Sequence, residues 1–263
     1  MRQIHYILLA ILVLCVSCEW QLHLKMAGME DELVIDRYDR VETLYLTTGD
    51  FSALQHMNID HPIETRTLIE DVLKIGHVND NEINNKFLRY FQDSTLQVIL
   101  NEVGRQYADI EDITREFRIA FSRMQSELPN VEVPHIYTQI GGTSTLGKSV
   151  IITNNSVGIC LDKYLGEHFK PYHRFYPLEQ RQMMTRKMIV PDCLNFYLLS
   201  LYPLPFDATT QLACDLHMAK IQWMVNKLLQ RKAFRSKYIT HVDAYVQHHE
   251  DITFPQLMSA TLR

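Results

Sequence analysis

Apolar residues recur every three or four positions along most of this chain, which is the spacing of one face of an α-helix. The clearest run follows Asp109 and ends at Pro129. Its apolar positions are Ile110, Ile113, Phe117, Phe121, Met124 and Leu128. Together with similar runs across 64–128, it predicts short-looped antiparallel helices, each too amphipathic to be stable without its neighbours.

Three β-branched runs of strand length interrupt this helical pattern. They are Val133–Ile140, Ser149–Thr153 and Val157–Asp162, and each is bounded by turn residues. A shorter run, Leu33–Ile35, could add an edge strand to the same sheet. The sequence therefore predicts an α+β fold, a predominantly helical single domain with a small β-sheet.

Glycine and proline mark some of the predicted helix ends. A helix over 64–75 is predicted to end with Gly76 at its C-terminal cap. Between 177 and 203 the pattern is helical, but Pro191 lies inside it. A proline in a helix interior removes a hydrogen bond and clashes with the preceding turn, so this segment is either one kinked helix or two helices.

The C-terminal third is predicted to hold two further helices. Asp207 or Thr209 is predicted to cap the first of them, and the second is predicted over 234–248. The tail from Asp251 has no sustained apolar period, which predicts irregular structure.

The N-terminus indicates where the protein is delivered. Arg2 precedes an apolar run, Ile7–Leu14, that is shorter than the about 20 residues needed to span a bilayer, so it is typical of a secretory signal. Ser17 precedes Cys18, as in lipoprotein signal peptides, which predicts lipid attachment at Cys18; ordinary cleavage nearby is the alternative. Residues 1–17 are thus predicted to be a lipoprotein signal peptide, 18–32 a tether and 33–263 one domain.

Charge and cysteine content narrow the possible partners. The formal net charge is -5, and no Arg/Lys-rich stripe with interleaved aromatic residues stands out, so nucleic acid is not an expected partner. The predicted partners are the membrane, through the lipid anchor, and an unknown envelope protein. Besides Cys18, the mature chain keeps Cys160, Cys193 and Cys214, which we expect to be buried thiols rather than a disulfide framework.

A metalloprotease is the first catalytic hypothesis, because helices around a small sheet followed by a long helix is the order of elements in zincin-like peptidases. That chemistry needs two histidines at i and i+4 to bind Zn²⁺ and an adjacent glutamate as general base. No histidine lies between Tyr176 and Phe206, and His249-Glu250 is followed by Thr253 where the second ligand would be. The motif is therefore absent, and neither a catalytic residue nor a cofactor is predicted.

A less regular site remains as an alternative. A non-standard metal site could use oxygen and imidazole ligands, which are Asp162, Glu167, His168, His173 and Asp192. Asp162 follows a strand and precedes Tyr164, so it is expected to cap the next turn or to accept a hydrogen bond from a buried tyrosine. The candidate pocket consists of Asp162, Tyr164, His168, His173 and Asp192, with no metal assigned to it.

Several motifs carry a resemblance to a known family. They are the cysteine at 18, the run Leu33–Arg40, Asp93 before a helix, Phe121, the run Gly158-Ile-Cys-Leu-Asp-Lys-Tyr-Leu-Gly166, Lys170-Pro-Tyr172 and Ile189-Val-Pro-Asp192. With these motifs, roughly residues 18 to 230 resemble the gliding-motility lipoproteins of the Bacteroidota, the GldB type. The resemblance implies a lipid-anchored protein of the cell envelope whose fold is similar to zincin-like peptidases without their His-Glu-x-x-His motif.

The expected function follows from these observations. We expect a non-catalytic envelope lipoprotein that docks or helps to assemble another envelope component. The alternative is an atypical metal-dependent hydrolase, or a metal-binding protein, with a site near Asp162 and Asp192.

Overall fold

A four-stranded sheet lies between two groups of helices. The computed structural model describes residues 33–142, 149–206 and 208–262. The predicted signal peptide, Cys18 and the tether lie outside the described residues. In the part that is described, no helix is both long enough and apolar enough to cross a membrane.

The strands lie in the order β1-β2-β4-β3. Their bounds are Ile35–Asp36 for β1, His135–Gln139 for β2, Val150–Thr153 for β3 and Ser156–Cys160 for β4. The β1/β2 and β2/β4 pairs are parallel and the β3/β4 pair is antiparallel. The predicted small sheet is confirmed, including the edge strand, which begins where the predicted run Leu33–Ile35 ends.

The helices form two groups along the chain. Those between β1 and β2 are α1 (Tyr38–Thr48), α2 (Phe51–Ile59), α3 (Pro62–Arg66), α4 (Ile83–Tyr90), α5 (Ser94–Gln106) and α6 (Glu111–Glu127). Those after β4 are α7 (Tyr172–Phe175), α8 (Leu178–Met183), α9 (Ile189–Leu201), α10 (Gln211–Leu229), α11 (Lys237–Gln247) and α12 (Phe254–Ser259). The mostly helical α+β class is therefore confirmed.

Helices cover the sheet, so that β2, β3 and β4 are largely buried on both faces. Helix α1 contacts β2, and α9 contacts β3 and β4. Helix α6 packs against both α9 and α10 and links the sheet layer to the C-terminal helices. Its predicted apolar face is buried, with Phe117, Phe121 and Met124 each at most 1% exposed. One continuous hydrophobic core extends from Leu33 to Leu262.

The helix predicted over 64–75 differs from the structure and ends before Gly76. The segment predicted as one helix over 64–75 is α3 followed by a π-helical turn, Thr67–Leu73. That turn ends at Lys74, which has φ +54° and bonds back to Ile69. Gly76 is not the cap: it has φ +153°, and an added Cβ would lie 3.2 Å from Ile83 Cδ1. A residue with a side chain would be strained at this φ, so the glycine allows the loop to turn back towards α4.

Of the two alternatives for 177–203, the structure has two helices. Helix α8 and a short 3₁₀ turn, Arg186–Met188, precede α9, so Pro191 lies in the first turn of α9. A missing N–H is tolerated there because it has no partner within the helix. The 3₁₀ turn is therefore the boundary between the two helices.

The C-terminal helices begin differently from the prediction. Thr210 caps α10 by accepting a hydrogen bond from the Ala213 N–H at 3.2 Å, so Thr209 is not the cap, and Asp207 lies outside the described residues. The tail predicted to be irregular contains α12, so that prediction was wrong. A capping box of Thr253 and Gln256 starts α12, which is too short to show an apolar period.

Candidate functional site at the strand ends

The motif Gly158–Gly166 begins in β4 and leaves it at the same edge where the chain leaves β2. The parallel register pairs Gln139 with Cys160, so the residues that follow each strand are neighbours. No Cβ fits at Gly158, because it would lie 2.5 Å from the Tyr137 hydroxyl oxygen. The glycine thus lets the Tyr137 ring pack against β4.

Two buried carboxyl groups bind the backbone where β2 ends. Glu42 on α1 accepts a hydrogen bond from the Ile140 N–H at 2.9 Å, and Asp162 accepts one from the Gly141 N–H at 2.7 Å. Glu42 is 0% exposed and Asp162 is 1% exposed. Buried N–H groups need acceptors, and these two lie beyond the paired part of β2. These two side chains therefore hold the exit of the strand in place.

Lys163 neutralises Asp162 inside the fold. Its Nζ lies 3.0 Å from Asp162 Oδ2 and donates to the Gly142 carbonyl at 2.6 Å and to the Tyr176 hydroxyl at 3.2 Å. Burial alone lowers the pKa of Lys163, but the adjacent Asp162 carboxylate outweighs it and raises the pKa above its ordinary value. The pair is charged, buried and bonded to the backbone on both sides.

Within the described residues, Glu42 has no ion-pair partner, whereas Asp162 has Lys163. Burial raises the pKa of Glu42 well above the ordinary value, against the hydrogen bond from Ile140, and the nearby Asp39 and Asp162 raise it further. Among the described residues, no group hydrogen-bonds its second oxygen, Oε1. Burial and neighbouring negative charge thus favour the protonated form of Glu42.

A small cavity of about 120 Å³ lies next to this cluster. Its wall includes Lys163, Tyr164 and Asp192, and the Tyr164 hydroxyl donates to Asp192 Oδ2 at 2.9 Å. Burial raises the pKa of Asp192 to about 7, although the bond from Tyr164 opposes the rise. The volume corresponds to roughly four water molecules and is below the about 300 Å³ at which ligand pockets usually begin.

The structure brings together only part of the predicted pocket. Tyr164 and Asp192 share the cavity, and Asp162 contacts it through Lys163. His168 and His173 are both exposed, and His168 lines a separate surface depression together with Glu102. Across 33–142, 149–206 and 208–262, no group of three or more His, Cys, Asp or Glu side chains is placed to hold a metal ion.

The Asp162 carboxylate has a structural role different from either predicted one. It binds the backbone of the neighbouring strand end rather than capping its own turn or accepting from a tyrosine. The tyrosine bond goes to the Asp162 backbone instead: the Tyr172 hydroxyl donates to that carbonyl at 2.5 Å and accepts from the Leu165 N–H at 2.9 Å. Tyr172 of the Lys170-Pro-Tyr172 motif thus fixes the same segment.

The early motif Leu33–Arg40 has a comparable structural use. Arg37 forms an ion pair with Asp39 at 2.8 Å and donates to the Tyr107 carbonyl at 2.8 Å. Arg40 donates to the Ala108 carbonyl at 2.8 Å. These bonds tie the first strand and helix to the end of α5.

The sequence did not single out Glu42 or Lys163. Glu42 is an acidic residue in an amphipathic helix and resembles a solvent-exposed position, and Lys163 follows an acidic residue in a turn. The predicted buried thiols are correct for Cys160 and Cys193, whereas Cys214 is half-buried. Burial raises the pKa of Cys160 to about 12, which keeps it protonated.

Fold and site together define a mostly helical α+β domain whose strand-end charges bind its own backbone. The sequence model of the gliding motility protein GldB family matches residues 19–238, so this chain belongs to that lipoprotein family. The resemblance drawn from the motifs is thereby confirmed, and the family indicates a location in the cell envelope. Neither a curated protein nor a solved structure matches the chain.

Proposed function

We propose that this protein is anchored to a membrane by lipid on Cys18 and acts without catalysis, by docking another component of the cell envelope. The anchor is supported by the signal-like apolar run before Cys18 and by the family match, which begins at the next residue. The docking or assembly role agrees with a gliding-motility family.

The observation that carries the non-catalytic proposal is the use of the strand-end charges. A catalytic group must present its reactive atom to a substrate. Asp162 and Lys163 instead bind each other and the backbone of Gly141 and Gly142. The neighbouring cavity of about 120 Å³ is too small for a peptide.

Exposed apolar side chains around the α9–α10 connection support a docking role. They are Phe196, Leu201, Leu204, Phe206 and Leu212, and Phe206 has 105% relative exposure. Large apolar side chains that gather on a surface mark contact sites with other molecules. This segment is therefore where we place the contact with the envelope partner.

A photoreactive amino acid at position 206, introduced in living cells, tests the docking site. We expect a discrete cross-linked adduct that is absent when the same group replaces Asn85, an exposed residue on α4. Changing Leu204 to Ser should weaken that adduct because it removes neighbouring apolar surface. Identical adduct patterns from positions 206 and 85 would contradict the docking site.

The anchor has its own test. In the Cys18→Ala variant, the diacylglyceryl thioether cannot form, and we expect the protein to lose its lipid-dependent partition into detergent phase. Mass spectrometry of the mature N-terminus supplies the direct readout. A mature N-terminus at any residue other than an acylated Cys18 would disprove the anchor.

The cavity at Asp192 favours a second candidate, an atypical hydrolase or metal-binding protein. A carboxyl group with a raised pKa beside a cavity is a feature of many catalytic sites. Stoichiometric zinc in the purified protein, with a melting temperature lowered by a chelator, would favour this candidate. Kinship to zincin-like peptidases remains part of the same proposal, and an experimentally determined structure of a family member would test it.

A further inference from the structure

The segment from Lys227 to Lys237 is basic in an otherwise acidic protein. It contains Lys227, Arg231, Lys232, Arg235 and Lys237 and no acidic residue, although the whole chain has 31 acidic and 26 basic residues. The segment forms the end of α10, the following turn and the start of α11. Its charges are therefore concentrated at one end of a pair of packed helices.

A groove of about 950 Å³ lies between α10 and α11 at this end. Phe234 and Ile239 form its buried apolar part, and Trp223 is half-buried beside them. Exposed cations line the same groove, namely Lys227, Arg231, Lys232 and Arg235. It thus combines an apolar floor with a positively charged rim.

Among the described residues, two of the four lining cations have an ion-pair partner and two have none. Lys227 pairs with Glu127 at 2.7 Å, and Arg231 pairs with Glu116 at 2.9 Å. Lys232 and Arg235 form no ion pair with any residue that the structure describes. The acidic lining residue Asp243 accepts a hydrogen bond from the Trp223 indole N–H at 3.0 Å. The groove consequently keeps a positive balance open to solvent.

The backbone that carries these cations is fixed. Asn226 and Phe234 exchange two hydrogen bonds of 2.9 Å across the α10–α11 turn. From α6, Arg123 donates to the Leu228 carbonyl at 2.6 Å and to the Gln230 side chain at 3.0 Å. A ligand would not have to order this turn, which lowers the cost of binding.

We propose that this groove docks the phosphate headgroups of anionic lipids on the membrane that holds the protein. A lipid headgroup region offers both phosphate for the cations and apolar glycerol and acyl carbons for Trp223, Phe234 and Ile239. Cations near an anionic membrane surface each add about fivefold to binding, from about 1 kcal/mol per residue. The proposal uses the Cys18 anchor only to bring the domain to the membrane.

Tether length permits this contact. Leu33 lies fifteen positions after Cys18, and a chain of this length reaches at most about 50 Å when extended. The Leu33 carbonyl accepts from Arg118 of α6, and Glu116 on the opposite side of the same helix pairs with groove residue Arg231. A helix with its side chains is about 10 to 12 Å wide, so the groove is closer to Leu33 than the full reach of the tether. The tether is therefore long enough for the groove to contact the membrane.

Trp223 supplies a direct probe, since the chain has one other tryptophan, Trp20. The mature protein carrying Trp20→Phe is reconstituted into liposomes of phosphatidylcholine, or of phosphatidylcholine with one phosphatidylglycerol in three lipids. Acrylamide quenching of Trp223 is then measured. We expect quenching to fall at least twofold on the anionic liposomes and to recover at about 0.5 M salt, because salt screens exposed charges.

The charge-reversal variant Lys232→Glu with Arg235→Glu should abolish the protection of Trp223 from quenching. The control variant is Arg66→Glu with Arg89→Glu, at exposed positions on α3 and α4, and it should keep that protection. Equal quenching on both liposomes, or protection that survives the reversal, would overturn the proposal. Two results would overturn the lipid assignment. One is protection of Trp223 by inorganic phosphate on phosphatidylcholine liposomes. The other is stronger protection by an acidic peptide or an oligonucleotide than by anionic lipid.

Failure of the anchor gives a different result. Protein that remains in the supernatant when the liposomes are sedimented would count against acylation at Cys18, not against the groove. The same quenching measurement, with that unanchored protein titrated by anionic liposomes, would still decide whether the groove binds them.

Discussion

Charged side chains have opposite surroundings at the strand ends and in the groove between α10 and α11. At the strand ends, Asp162 and Lys163 are at most 4% exposed and bind each other and the backbone. In the groove, Lys232 and Arg235 are exposed and form no ion pair within the described part of the chain. The first arrangement holds the fold together, and the second leaves charge available to a partner.

The comparison shows that residue type alone does not distinguish a structural charge from a binding one. Removing one member of a buried ion pair leaves the other charge uncompensated in a low dielectric, which is costly. Changing an exposed charge has little effect on stability because water solvates either residue. Stability and binding measurements on the two regions should therefore give opposite results.

The largest effect is expected from Lys163→Met. The variant leaves the Asp162 carboxylate buried without its cation and removes the bond to the Gly142 carbonyl. We expect the free energy of unfolding in urea to fall by about 3 to 5 kcal/mol. Arg66→Met, at an exposed position, is the control and should change it by less than about 0.5 kcal/mol. A loss below about 1 kcal/mol for Lys163→Met would show that the strand-end pair is not structural.

A pH-dependent effect is expected from Asp192→Asn. The pKa of Asp192 is raised to about 7 in the folded chain, whereas an unfolded aspartate titrates near pH 4. Between about pH 4 and pH 7 the unfolded chain loses this proton while the folded chain keeps it, so rising pH lowers the stability of the native protein. The Asn variant lacks this titration.

Urea unfolding of both proteins at several pH values measures the difference. The stability of the Asn variant relative to the native protein should increase steadily from about pH 4 to pH 7. Asp71→Asn, at an exposed carboxylate, is the matched control. A stability difference that is constant across this range would mean that the Asp192 carboxyl group is not held in its protonated form.

The smallest effect on stability is expected from Lys232→Glu combined with Arg235→Glu. Both side chains are exposed and unpaired in the described structure, so the free energy of unfolding should change by no more than about 0.5 kcal/mol. Thermal and urea unfolding measure it. A loss above about 2 kcal/mol would place these cations in the same structural class as Lys163 and remove the contrast between the two regions.

Local patterns predicted the elements with a sustained apolar period. Helix α6 and the three main strands carry their signal in 4 to 17 consecutive residues, and burial of the predicted face follows from that period. The two helices within 177–203 were left as one of two alternatives, because Pro191 fits either a kink or a first turn. Helix α12 was missed, since six residues contain too few turns to show a period.

The site was predicted only in part, for a related reason. Asp162, Tyr164 and Asp192 lie in motif segments and do gather near the cavity, whereas His168 and His173 are on the surface. The importance of Glu42 depends on Ile140, 98 residues away in the chain. Likewise, the overall acidic balance concealed the basic segment at α10 and α11, because composition averages charge over the whole chain.

The sequence by itself determined most helical and strand segments, the lipoprotein-like N-terminus and the family, because each of these depends on a local pattern of residues close together in the chain. Only the tertiary structure decided which charges are buried and which remain open. That difference depends on the residues that fold against each side chain: α1 and two strand ends enclose Glu42 and Asp162, whereas nothing within the described chain covers Lys232 and Arg235.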